Sequence, residues 1–106
     1  MSQHYFVTTH ARRPVRIVMG YDRALNYVFM TVERLDDDRH IYLYSNRFDE
    51  EAGTHCQDVY HYRDVLTDLR LTVPVSMFDE VERDRTSRTG NRMVRHFSNG
   101  AWSDCT

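Results

Sequence analysis

Lysine is missing altogether from this 106-residue chain, and all fourteen of its basic side chains are arginine. A GC-rich coding bias accounts for such a composition. Its chemical consequence is that every strong cation is a planar, bidentate donor of a kind lysine cannot supply. Cysteine is scarce: Cys56 and Cys105 stand alone and far apart, and they read as two reduced thiols of a cytoplasmic protein, not as a disulfide framework. No apolar run approaches the roughly 20 residues of a membrane span. The start, Met1-Ser2-Gln3-His4-Tyr5-Phe6, lacks the basic stretch and long apolar run of a signal peptide. There is no Walker-type loop, no GxGxxG, no GxSxG and no CxxC, and no internal repeat, low-complexity segment or linker.

The six histidines invite a search for chemistry. His55, Cys56 and His61 form the one cluster of metal-ligating types, but on a helix starting near His55 residues 55 and 61 point to different sides. They are not the i, i+4 pair of a helical zinc site, so neither a metal nor a cofactor is expected. Cys56 near a helix start would gain thiolate character, yet no base lies at a recognisable spacing, and it reads as a packing or surface cysteine. A nuclease-like set of His10, Arg12, Arg13, Arg95 and His96 would need the last strand to pair beside the first. No spacing motif singles that set out. The expectation is a protein that is not an enzyme and has no catalytic residues.

What is there is dense apolar material between Val15 and Leu35. Val15, Ile17, Met19 and Tyr21 alternate with Arg16, Val18, Gly20 and Asp22; after a break, Tyr27, Phe29 and Thr31 interleave with Val28, Met30 and Val32. Both sets are apolar or β-branched, as in two-sided central strands. Gly20 signals a bulge or a close backbone approach. His4–Thr9 reads as a preceding strand and His40–Ser45 as a fourth, the short connections favouring an antiparallel meander. Asn46–Gly53 reads as a polar loop, and Thr54-His55-Cys56-Gln57 has capping-box spacing. Val59, Tyr62, Leu66 and Leu69 then recur at helical spacing over about four turns. Pro74 opens a second helix carrying Met77, Phe78 and Val81, with Gly90 placed as its C′ residue. Asn91–Phe97 reads as a last strand with an edge or exposed side, and residues 98–106 as a tail.

The predicted fold is therefore α+β in a single domain, 1–106: strands over about 4–45, helices over about 55–88, a last strand over about 91–97. A four- to five-stranded antiparallel meander carries two helices on one face. Val59, Tyr62, Leu66, Leu69, Phe78 and Val81 are expected to pack on Ile17, Met19, Phe29 and Ile41 or Leu43.

Charge is segregated along the chain. Residues 1–32 hold four Arg and one Asp, net +3; residues 33–82 hold five Arg and thirteen acids, net −8; residues 83–106 hold five Arg and two Asp, net +3. These sum to the overall −2. The layout points to a protein-binding inhibitor or adaptor that docks on a basic partner surface. Its expected partner-binding residues are Asp36, Asp37, Asp38, Asp49, Glu50 and Glu51, with Tyr42 and Tyr44; the acidic stretch Asp79–Glu82 is of the same kind. The alternative is a small nucleic-acid-binding module using Arg12, Arg13, Arg16, Arg88, Arg92 and Arg95, against which the net charge and the lack of an RNA-type aromatic motif count. A homodimer, through a strand edge or through docking of the tail with its Trp102, would cover otherwise open surface.

Arg13-Pro14-Val15-Arg16, Gly20-Tyr21-Asp22-Arg23, Tyr42-Leu43-Tyr44-Ser45-Asn46 and Gly90-Asn91-Arg92 together resemble a group of small uncharacterised bacterial proteins, over about residues 5–96. Such proteins are often carried on plasmids, phages and other mobile elements. The resemblance implies an accessory or counter-defence role, anti-CRISPR-like inhibition among them, and assigns no functional residue. The tail after Phe97 lies outside it.

Overall fold

The computed structural model describes residues 1–55 and 58–105. Four strands follow one another as an antiparallel meander: β1 (Ser2–His10), β2 (Arg13–Asp22), β3 (Tyr27–Arg34) and β4 (Tyr42–Ser45). A single 3-10 turn (Asn46–Phe48) leads into helices α1 (Glu50–His55), α2 (Val59–Asp68) and α3 (Val75–Ser87), and the chain returns through β5 (Arg92–His96) and β6 (Trp102–Asp104). Among the described residues the sheet has six strands in the order β4-β3-β2-β1-β5-β6. The class is α+β, as expected. The sheet, however, is mixed, because β5 runs parallel to β1 with Ser2 opposite Arg92 and Tyr5 opposite Arg95.

This corrects the expected antiparallel meander of four or five strands on the far side of β1. The last strand is not at the edge: it lies between β1 and a further antiparallel strand, β6, formed by part of the expected tail. A return through three helices delivers the chain to the far side of β1, a crossover long enough for the parallel pairing seen there. No helix of the described residues is long and apolar enough to cross a membrane.

Local signals explain most element ends. The β1–β2 hairpin turns through Ala11 and Arg12, both left-handed (φ 49° and 66°), the backbone of a two-residue primed turn built here without glycine. Asp58 caps α2, accepting from the N–H groups of Tyr60 and His61. The expected capping box over Thr54–Gln57 includes Cys56 and Gln57, which lie outside the described residues. The polar stretch Asn46–Gly53, expected as a loop, holds the 3-10 turn and most of α1, begun by Asp49 accepting from the N–H groups of Glu51 and Ala52. Arg88, not Gly90, takes the left-handed position ending α3 (φ 51°), and the Thr89 N–H closes the turn on the Asp84 carbonyl at 2.9 Å.

All three helices lie on one face of the sheet. The core there includes Phe6 of β1, Val15, Ile17, Met19 and Tyr21 of β2, Val28, Met30 and Val32 of β3, Ala52 of α1, Val59, Tyr62 and Leu66 of α2, Leu71 and Val73 after it, and Met77 and Val81 of α3. Leu69, Phe78 and Leu43 pack at its margin. Phe29, expected in this core, belongs to the opposite face, and Ile41 is half-buried ahead of β4. The reason is register: Tyr21 pairs with Val28 and Gly20 with Phe29, so the alternation that buries Tyr21 sends Phe29 the other way. Gly20 is a close approach and not a bulge. A Cβ there would stand 1.9 Å from the Ser2 carbonyl oxygen and 2.8 Å from the Phe29 ring.

Candidate functional site

Polar side chains of α3 recur at Ser76, Glu80 and Asp84, one helical stripe at i, i+4 and i+8 beside the apolar Met77 and Val81. The stripe faces β1 and β5, whose helix-side positions carry Ser2, His4, Arg92 and His96. Between them runs a continuous hydrogen-bonded network. His4 Nε2 donates to Asp84 Oδ2 at 2.6 Å, His4 Nδ1 lies 2.9 Å from His96 Nε2, and Ser76 Oγ lies 3.2 Å from His96 Nδ1. Arg92 donates to Asp84 (2.8 Å), Glu80 (2.9 Å) and Asp104 (3.2 Å), while its guanidinium sits 5.4 Å from the centre of the Trp102 ring. Trp102 thus belongs to the fold's own β5–β6 pair, where it remains 42% exposed.

This network has a pH consequence. Burial pushes His96 down from its usual 6.5 to about 4, with the nearby His4 and Arg92 adding to the effect against Glu80. The unfolded chain takes up that proton near 6.5 and the folded chain only near 4, so stability falls as the pH drops through this window, by up to about 3 kcal/mol. Burial pushes the Asp84 carboxyl up, but hydrogen bonds from His4, Ser2 and Arg92 outweigh it and hold the group below its usual 3.8. That contribution is present above the unfolded value and is lost as pH falls through the lowered folded one, giving a second, more acidic phase. Urea titrations between neutral pH and about pH 4.5 should show the first phase. A midpoint unchanged over that range would contradict the burial of a neutral His96.

The arginines expected to meet nucleic acid are largely engaged. Arg13 pairs with Asp36 (2.8 Å) and Arg16 with Glu33 (2.9 Å), Arg92 holds three carboxylates, and Arg88 donates to Asn26 (3.4 Å). Arg95 stacks over Phe97, and Arg12 occupies the hairpin turn. The nuclease-like set is not assembled. The last strand does lie beside the first, but Arg95 sits opposite Tyr5, five residues or about 17 Å along β1 from His10. His96 faces the buried side.

The expected acidic site is likewise divided. Asp36 is taken by Arg13 and Asp37 by Arg39, whose side chain and backbone hydrogen bonds hold the Asp37 carboxyl far below its usual range. Asp49 works inside the fold: besides starting α1 it accepts from the Tyr44 hydroxyl and bonds His61 Nε2 at 2.8 Å. Burial and Asp49 push the Tyr44 phenol up, and its ring packs edge-on to Tyr62. Asp38, Glu50, Glu51 and Tyr42 are exposed. No trio of His, Cys, Asp or Glu among the described residues is arranged to hold a metal, and of the expected cluster Cys56 lies outside them.

The reading from sequence missed His4, Ser76 and Asp84, and it placed Glu80 in the acidic docking stretch Asp79–Glu82, whereas Glu80 is buried against Arg92. A signal was available in the four-residue spacing of Ser76, Glu80 and Asp84 next to Met77 and Val81, which a search for apolar periodicity alone passes over. Compared with protein-family models, with curated proteins and with solved structures, the chain gives no significant match to any of the three.

Proposed function

We propose that the protein is a non-enzymatic protein-binding module, an inhibitor or adaptor of the counter-defence kind implied by the sequence resemblance, which docks the outer side of its helical layer on a basic protein surface. The observation that carries this reading is the outer face of α2. Tyr60 is 60% exposed there, with Asp64 and Asp68 following at four-residue steps, both exposed and with no ion-pair partner among the described residues. Arg63 lies over the Tyr60 ring at 5.4 Å. An aromatic anchor with a polar rim is the usual anatomy of a protein interface. Exposed Asp38, Asp79, Glu50 and Glu51 extend the negative field, so the docking residues shift from Asp36, Asp37, Asp49 and Tyr44 towards α2. The nucleic-acid alternative draws less support, because Arg13, Arg16 and Arg92 are already tied to carboxylates.

A tagged pull-down from host lysate identifies the partner, and a titration then measures it. Tyr60→Ala, and separately the pair Asp64→Arg and Asp68→Arg, should each weaken binding roughly tenfold or more, equivalent to about 1.4 kcal/mol. Added salt should weaken it further, while the melting temperature stays close to that of the parent because exposed charges contribute little to stability. Undiminished binding by both variants would defeat the reading. A salt-sensitive mobility shift with DNA or RNA, lost on Arg95→Ala, would replace it with the nucleic-acid module.

A further inference from the structure

The face of the sheet away from the helices is a mixed surface, and at its β3–β4 end it holds a cavity of about 390 Å³, within the roughly 300–1,000 Å³ of small-molecule sites. Strand register makes this cavity. β4 stops at Ser45, opposite Thr31, so Phe29 and Tyr27 further back along β3 have no strand beside them on that side, and the 3-10 turn Asn46–Phe48 stands there instead. The Tyr27 and Phe29 rings form one wall, with centres 6.5 Å apart and planes tilted by 51°. Gly20, opposite Phe29 on β2, adds no side chain to the floor. We propose that the cavity binds a nucleoside monophosphate, its base against the aromatic wall and its phosphate at Arg47. This goes beyond the docking of the helical layer and does not depend on it.

The first support is polar groups of the turn that the fold itself does not use. Asn46 lines the cavity and is only 6% exposed. Its carbonyl accepts from the Asp49 N–H, but its side-chain amide makes no hydrogen bond among the described residues. Buried amides are ordinarily bonded. One that can both donate and accept, with no protein partner, suits the edge of a base, as asparagine suits the N6 and N7 edge of adenine. Arg47, exposed at the next position, donates its backbone N–H to Ser45 Oγ, while its guanidinium has no carboxylate among the described residues. That leaves a planar fork for two phosphate oxygens.

Rings and charge together select the class of ligand. Phe48 stands at the lip of the cavity 83% exposed, an aromatic ring that the fold leaves uncovered. With Tyr27 and Phe29 it offers the π-surface on which any base stacks. The one acid on the wall, Glu33, is bonded to Arg16 at 2.9 Å and lies 3.2 Å from His40. Arg47 is therefore the unbalanced charge among the side chains of the wall, and the site favours an anion. A simple anion makes no use of the rings, and a neutral aromatic makes none of the guanidinium. A nucleoside monophosphate engages the rings, the amide and the guanidinium at once.

Isothermal titration of the full chain with AMP, and with GMP, CMP and UMP in turn, tests the proposal; adenosine and inorganic phosphate serve as the separated halves. AMP should bind saturably, one per chain, and each half should bind roughly tenfold or more weakly than AMP. Arg47→Glu and Phe48→Ala, both at exposed positions, should each weaken AMP by roughly tenfold or more, with the melting temperature close to that of the parent. Asn46→Leu should weaken AMP as well without lowering the melting temperature, because the amide it removes bonds nothing in the fold. Tyr60→Ala on the helical layer should leave AMP binding unmoved, which separates this site from the docking surface. The assignment is overturned by the lack of saturable binding of any of the four nucleotides, by inorganic phosphate binding as tightly as AMP, or by AMP binding that survives both Arg47→Glu and Asn46→Leu. A single-stranded oligonucleotide that binds far more tightly than AMP would overturn it too, in favour of a strand.

Discussion

Asp84→Ala is expected to destabilise the protein by about 3–5 kcal/mol, the range for removing one partner from a buried ion pair. Asp84 is 1% exposed. Its two oxygens accept from different elements, Oδ2 from His4 on β1 and Oδ1 from Arg92 on β5. Loss of the carboxylate leaves a buried imidazole N–H without an acceptor, at about 1–3 kcal/mol, and takes from the Arg92 guanidinium the most buried of its three carboxylates, Glu80 and Asp104 remaining. A chain of this size is stable by roughly 5–15 kcal/mol in all. The variant should therefore show a large fall in the urea midpoint with little change in slope. Asp36→Ala, which breaks the exposed pair with Arg13, should cost no more than about 1 kcal/mol. Equal losses for the two variants would mean that the network beneath α3 is no more protected from water than the surface pair.

Leu66→Ala should cost about 2–5 kcal/mol, from the lost transfer of the side chain and the cavity it leaves. Leu66 is 2% exposed and stands one turn along α2 from Tyr62, whose hydroxyl donates to the Val28 carbonyl at 2.8 Å. That bond fixes α2 over β3, so the helix cannot slide to close the gap, and the cost should fall in the upper part of the range. The Leu66 carbonyl also accepts from the Leu71 N–H at 2.9 Å, a main-chain contact that alanine retains. The loss therefore reports packing alone. A thermal melt of Leu66→Ala within a degree of the parent would show that α2 does not seal the core.

The two networks differ in how far the chain announces them. Leu66 can be read from sequence because Val59, Tyr62, Leu66 and Leu69 repeat at helical spacing among charged neighbours, and burying such a stripe is the one way α2 gains stability. Asp84 cannot be read in that way. It stands in the charged run Asp84–Arg88, which has the composition of a solvated helix end. Only the parallel placement of β5 beside β1 brings Arg92 and His4 under it from far along the chain. The expected acidic site fails for a related reason. Asp36 is neutralised by Arg13 because the β1–β2 hairpin and the end of β3 meet in space, with the Leu35 N–H on the Pro14 carbonyl at 3.0 Å.

By itself the sequence determined the antiparallel meander from β1 to β4, the two amphipathic helices α2 and α3, and the unequal distribution of charge. All of these rest on periodicities and turn chemistry carried within about ten residues. Tertiary structure alone decided which side of the two-sided β3 faces the helices, since Val28, Met30 and Val32 are as apolar as Tyr27 and Phe29 and only the register with β2 distinguishes them. It alone decided that β5 runs parallel to β1 and that β6 closes the edge. The physical reason is that strand pairing across ninety residues is governed by where three helices return the chain, and no local propensity encodes that distance.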